Sequence, residues 1–145
     1  MSENPFDGPQ MRGEVFARAD MAGAEFKGVN LEGARFFAVL KEARFEQTML
    51  AGAVFDDVNL SGATFENVNL SKATLHDVNF SEVSIGHANL SGLTIDGAKA
   101  KGITIRNADL AGSRIEDCGL EGMTIDGVAV TEMLALWRKH PGGEN

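Results

Sequence analysis

The sequence predicts an all-β solenoid that finishes in a short C-terminal α-helix. An apolar residue recurs at every fifth position from Phe16 through Phe26, Leu31, Phe45, Leu60, Leu70, Phe80, Leu90, Ile105 and Ile125 to Val130, with one four-residue step between Phe36 and Leu40. A period of five fits neither an α-helix at 3.6 nor a strand at 2, so the chain has to turn within every repeat. Two residues before each of these centres stands a second, usually small apolar residue, such as Ala43, Ala53, Val58, Ala63, Val68 or Ala73. Residues two apart in extended backbone share a side, so both face inward and the Asn, Asp or Thr between them faces out. Two residues after the centre comes glycine, at 23, 28, 33, 52, 62, 92, 97, 102, 112, 122 and 127, which takes up most of the chain's 17 glycines. That is the slot where a turn residue is needed. A short extended step and a corner, repeated, wind into a coil.

Four segments follow along the chain. Residues 1–13 hold Pro5 and Pro9, show no period and are expected to form an irregular N-terminal arm. Residues 14–130 are the repeat array. Within it, Phe36-Phe37-Ala38-Val39-Leu40 lacks one corner residue, which predicts a squeezed turn with Phe37 partly outside. Ala98 and Ala100 under-fill their step, which predicts a dent there. Residues 131–140 read as a helix, with Thr131 as N-cap, Glu132 in the first turn and Arg138, Lys139 and His140 at the negative end, stopped by Pro141-Gly142. Its stripe Val130, Met133, Leu134 and Trp137 is expected to cap the open end of the coil, with Leu136 beside it. Residues 141–145 are a tail.

The pattern of Ala or Val, Asn or Asp, Leu or Phe, then two polar or glycine residues resembles the pentapeptide-repeat family. Val58-Asn59-Leu60-Ser61-Gly62 and Ala88-Asn89-Leu90-Ser91-Gly92 carry the likeness most clearly, and it extends over residues 14–130. It implies a right-handed quadrilateral parallel β-helix with four repeats per coil, in which residues one coil apart stack at about 4.8 Å. The core is consistent with such stacking. Along Phe45, Phe65, Ile85, Ile105 and Ile125 the centre shrinks, while its partner grows through Ala43, Ala63, Val83, Ile103 and Met123. A shaft of fixed cross-section demands that compensation.

Composition narrows the classes of function. One repeat array in 145 residues makes a single domain. The one cysteine, Cys118, stands at an inward position as a small hydrophobe, and a chain that makes no internal disulfide suits the cytoplasm. The first residues lack the basic and apolar regions of a signal peptide, and no apolar run approaches the length of a membrane span. A net charge of −8 argues against direct contact with nucleic acid or an anionic membrane.

No catalytic constellation is legible, and no cofactor or metal is expected. Tyrosine is absent, and His76, His87 and His140 read as surface residues with no ligand-type spacing. No phosphate-binding glycine loop or nucleophile elbow occurs. One surface feature stands out. Stacking the repeats brings Asp56, Asp57, Asp77, Asp96, Glu116 and Asp117, with His76 among them, onto one edge of the rod, a candidate acidic interaction edge. Carboxylates that close repel by roughly 1 kcal/mol per pair even in water. A solvated edge that aids solubility is the plain explanation. The resemblance supplies a second, since some pentapeptide-repeat proteins imitate DNA and occupy type II topoisomerases such as DNA gyrase or topoisomerase IV, protecting them from quinolones or toxins. This chain departs from several of those members in having no long loops between coils. The resemblance also implies a homodimer through the C-terminal helix, for which Met133, Leu134, Leu136 and Trp137 are the candidate cap or dimer contacts. The sequence therefore reads as a non-catalytic, rigid, cytoplasmic protein-binding module. The alternatives are a DNA-mimicking topoisomerase inhibitor or protector and a purely structural scaffold that presents Thr and Asn ladders.

Overall fold

The computed structural model describes residues 13–142. The expected N-terminal arm, up to residue 12, and the last three residues of the tail lie outside the described residues. The strands are short because each inward pair is followed at once by a corner: β1 Val15–Asp20, β2 Glu25–Lys27, β3 Arg35–Val39, β4 Arg44–Glu46, β5 Val54–Asp56 and β6 Thr64–Glu66. They continue as β7 Thr74–His76, β8 Ser84–Gly86, β9 Thr94–Asp96, β10 Thr104–Arg106, β11 Arg114–Glu116, β12 Thr124–Ile125 and β13 Val128–Ala129, and the chain closes with α1 Val130–Lys139.

The result is a parallel β-solenoid with four faces. Strands β1, β3, β5, β7, β9 and β11 pair in that order as one sheet, and β2, β4, β6, β8 and β10 form the sheet opposite. The two remaining faces are ladders of single bridges. One runs Val39, Asn59, Asn79, Lys99, Gly119, and the other Asn30, Met49, Asn69, Asn89, Asp109.

The corners explain the repeat. The backbone is left-handed two residues after the centre, whether that residue is Gly62 (φ 68°), Gly92 (φ 68°), Asp57 (φ 52°), Lys72 (φ 56°) or Glu82 (φ 57°). After the bridge ladders the corner is a hydrogen-bonded turn, as where Ala63 N–H donates to Leu60 O at 3.0 Å. On these two faces the outward asparagine has a task of its own. Oδ1 of Asn59, Asn69, Asn79 and Asn89 accepts the N–H of Ser61, Ser71, Ser81 and Ser91 at 3.0–3.2 Å, which holds the turn closed. On the strand faces, with no such turn to hold, the outward position passes to Thr64, Thr74, Thr94 and Thr104.

The four-residue step has the expected effect, and its mechanism is visible. With the corner residue missing after Phe36, β3 runs on to Val39 and Phe37 is left half-exposed. Against it, β1 pairs Ala17 with Phe37 and Ala19 with Ala38, so Arg18 bulges without a partner. At the expected dent, Ala98 and Ala100 are both buried. Ala100 shares its column with Phe80, whose N–H donates to Lys99 O at 2.8 Å.

The core is the column of centres and their small partners, from Leu31 to Ala100. Two phenylalanine stacks lie at its N-terminal half: Phe16, Phe36 and Phe55 on one face, and Phe26, Phe45 and Phe65 on the other, with rings 4.7–5.2 Å apart and nearly parallel. Thr48 takes an inward place among alanines and valines because its hydroxyl reaches Phe26 O at 3.0 Å and Glu46 O at 2.9 Å. Among the described residues no buried side-chain nitrogen or oxygen lacks a partner.

The C-terminal end differs from expectation. Parallel stacking stops at β11 and the Gly119 bridge, short of residue 130. Asp126 (φ 48°) and Gly127 (φ 79°) are both left-handed, which makes a two-residue hairpin turn, and β12 pairs antiparallel with β13. The helix begins at Val130 with Ala129 as its N-cap residue and no side-chain cap bond, so Thr131 lies in the first turn and does not cap it. Of the stripe expected to face inward, Val130 is buried and Met133 half-buried, whereas Leu134 and Trp137 are exposed, as is Leu136. The helix packs on β13, and the apolar centres Leu110, Ile115 and Ile125 remain exposed at this end. They have no following coil to cover them.

Candidate functional site

Parallel pairing in register stacks like positions. Along β5, β7, β9 and β11, Asp56 pairs with His76, His76 with Asp96, and Asp96 with Glu116. Beside them the left-handed corner residues Asp57, Asp77 and Asp117 form a second row, interrupted by Gly97. All six acidic residues singled out in the sequence therefore lie on one edge of the rod.

His76 organises this edge in a way its position in the sequence did not reveal. Its Nδ1 lies 3.0 Å from Asp56 Oδ1 and 3.6 Å from Asp77 Oδ2, and its Nε2 lies 4.0 Å from Asp96 Oδ2. The hydrogen bond to Asp56 raises the imidazole above its ordinary pKa of 6.5, and the charges of Asp77, Asp56 and Asp96 add to the rise. Further along, Arg114 donates to Glu116 from within the same strand. One histidine and one arginine thus serve a row of six carboxylates, and the edge stays strongly negative.

The opposite edge is compensated by comparison. Glu46 meets Arg44 at 2.6 Å and Lys27 at 4.0 Å. Glu66 lies 2.6 Å from His87 Nδ1, and Asn107 Nδ2 approaches His87 Nε2 at 3.3 Å. Cys118 behaves as Thr48 does, with Sγ directed at the carbonyls of Glu116 and Ile95, and burial pushes its thiol pKa up, away from a reactive thiolate. Among the described residues no group of His, Cys, Asp and Glu side chains is arranged to hold a metal ion.

At the foot of the acidic edge runs a groove of about 620 Å³. Arg18 and Asp20 line one end, Phe37 and Val39 come next, Asp57, Asn59, Asp77 and Asn79 stand in the middle, and Lys99 lies at the other end. The sequence shows these positions as two separate rows, corner residues and outward residues. Only the depth of the corner turns them into facing walls. The missing corner after Phe36, which places Phe37 and Val39 there, was the available signal.

The family model for pentapeptide repeats matches residues 6–36, 38–77 and 75–112, with 8 copies of the repeat. The chain belongs to the pentapeptide-repeat family. Solved pentapeptide-repeat proteins share its fold. Rfr23 from the cyanobacterium Cyanothece 51142 is 21% identical with a TM-score of 0.60, over 75% of this chain and 86% of that one. A pentapeptide-repeat protein from the Arabidopsis thaliana thylakoid lumen is 25% identical with a TM-score of 0.51, over 83% of this chain and 75% of that one. QnrB1, a plasmid-mediated fluoroquinolone resistance protein, aligns at 21% identity over 88% of this chain and 82% of its own, with a TM-score of 0.43, a superposition too loose to argue from. Among curated protein sequences nothing matches this pentapeptide-repeat protein. No helix among the described residues is long and apolar enough to cross a membrane.

Proposed function

We propose that this pentapeptide-repeat protein is a non-catalytic, rigid protein-binding module of the cytoplasm, and that its acidic edge is the contact face. The observation that carries the reading is the axial row Asp56, His76, Asp96, Glu116 with Asp57, Asp77 and Asp117 beside it, against a far edge where Glu46 lies beside Arg44 and Lys27 and Glu66 beside His87. Solubility alone requires no such asymmetry. A single-sign row on a stiff support attracts a basic protein surface from a distance and orients it on arrival.

A second reading gives that basic surface an identity. Carboxylates repeated along a narrow rod present negative charge in the manner of a nucleic-acid backbone, so a DNA-binding saddle such as that of DNA gyrase or topoisomerase IV is the partner. A gyrase supercoiling assay, with and without quinolone, tests this. Inhibition or protection at micromolar protein supports it, and no effect removes it. Within a positive result, Asp56→Lys combined with Asp96→Lys should abolish the effect while the fold survives, because both residues are surface-exposed. Unchanged inhibition by that variant would reject the edge as the contact. The exposed Leu136 and Trp137 support a homodimer built through the C-terminal end.

A further inference from the structure

The groove beside the acidic edge carries an order of side chains that the edge lacks. Its N-terminal end is lined by Arg18 and Asp20, and Phe37 and Val39 follow on the next coil, with 42% and 40% of their surfaces exposed. Asp57 and Asp77 follow on the next two coils, and Lys99 ends the row on the coil after. Among the described residues neither Asp57 nor Lys99 forms an ion pair. Coils stack at about 4.8 Å, so Val39 and Lys99 stand about 14 Å apart, and the midpoint between the two aspartates lies about 7 Å from Val39. An extended polypeptide rises about 3.4 Å per residue, which sets its residues i, i+2 and i+4 at about 0, 7 and 14 Å along one side. The two spacings coincide. Asn59 and Asn79, which line the same groove, commit Oδ1 to the N–H groups of Ser61 and Ser81, and this leaves their NH2 groups as donors for peptide carbonyls.

We propose that this groove docks an extended segment of a partner protein in which an apolar residue, a lysine or arginine two positions on, and an acidic residue two further meet Phe37 with Val39, Asp57 with Asp77, and Lys99 in turn. The inference rests on the reading of the protein as a binding module, and it adds a sequence rule to it. A general attraction to cations would not distinguish the order of charges. The groove does, because its own charge changes sign along the rod.

The test uses the full chain, labelled with 15N, and two acetylated, amidated peptides, Gly-Leu-Ser-Arg-Ser-Glu-Gly and Gly-Leu-Ser-Glu-Ser-Arg-Gly, each made in both chain directions. At millimolar peptide the arginine-centred order should shift the amides of Val39, Asn59, Asn79 and Lys99. It should bind about fivefold more tightly than the glutamate-centred order, as attraction replaces repulsion at exposed pairs. Lys99→Glu should weaken it, and replacing the peptide's glutamate by lysine should restore binding to that variant. Equal affinity for the two orders overturns the proposal, and so does the absence of any shift. Shifts confined to Asp56, Asp96 and Glu116 overturn it too, yet leave the acidic edge standing as a general cation-attracting face.

Discussion

His76 Nδ1 lies 3.0 Å from Oδ1 of Asp56, its partner in the preceding coil of the same sheet. With Asp77 and Asp96 also facing the ring, the imidazolium is favoured and its pKa stands above the ordinary 6.5. A group whose pKa rises on folding contributes stability below its unfolded value and loses that contribution as pH rises through the folded value. The urea midpoint should therefore fall as the buffer is taken upward from about pH 6.5 through that raised value, and His76→Gln should flatten the slope. Asp56→Asn, which removes the leading cause, should move the NMR titration of His76 back toward its ordinary value. A His76 titration at or below that value in the wild type would contradict the geometry.

Corner residues offer a test free of side-chain contacts. Gly52 has φ 65°, and a Cβ added there would meet nothing within 4 Å, so Gly52→Ala probes backbone strain alone. A left-handed conformation costs an L-residue about 1–2 kcal/mol, so the variant should lose about 1 kcal/mol. Lys72 occupies the same slot with φ 56°, and Lys72→Gly should gain about 0.5–1 kcal/mol after the flexibility of glycine in the unfolded chain is discounted. Both are read from the denaturation midpoint at constant m. A destabilised Lys72→Gly would mean that its side chain, which runs beside Gly92, contributes more than the corner costs.

The period of five was enough to find the coil, its inward pairs and its glycine corners, because each follows from local sterics repeated many times. Grouping the acidic residues on one edge needed only the stacking interval. The finer alternation of faces was written in the same rows, Asn59, Asn69, Asn79 and Asn89 against Thr64, Thr74, Thr94 and Thr104, but its meaning depended on which corners close with a hydrogen bond. The end of the coil departs from the repeat because Asp126-Gly127 fits the pattern and also fits a two-residue hairpin turn. With no further coil to pair with, β12 takes the hairpin partner that follows it. The helix start moved for a related reason, since Val130 N–H is engaged by Met123 O and the hairpin carries the chain straight into α1. His76 as the hub of the acidic edge depends on side-chain reach across coils and had no local signature, and of the groove only the missing corner after Phe36 was written locally.

Along the phenylalanine stacks the cost of truncation should follow depth. Phe45 is fully buried between Phe26 and Phe65, with both rings 4.7 Å away. Phe45→Ala should cost about 3–5 kcal/mol, since it removes a large side chain and leaves a cavity that flanking rings cannot close. Phe26, half-buried at the end of its stack, should lose roughly half as much. In a solenoid each coil touches only its neighbours, so the inner variant also interrupts the cooperative unit. Its denaturation curve should broaden where that of Phe26→Ala merely shifts. Equal losses at the two sites would argue that the rod's N-terminal end is covered as fully as its middle.

At the other end the apolar surface is larger. Leu136 and Trp137 expose 67% and 62% of their surfaces, and Ile125 and Val128 expose 54% and 48%. The strands β10 and β11 are the last members of their sheets, so this end presents unpaired backbone as well as side chains. Exposed apolar clusters beside free strand edges mark surfaces that associate. A tryptophan on such a surface is a typical anchor for the partner. Multi-angle light scattering should therefore find a dimer for the wild type. Leu136→Glu should give a monomer, because a carboxylate at the contact has to be desolvated, and Trp137→Ala should raise the dissociation constant by about tenfold or more. Both variants should keep the wild-type circular dichroism, since neither side chain is buried in the single chain. A wild-type protein that remains monomeric at high concentration would leave this end open in solution and would exclude self-association as its purpose.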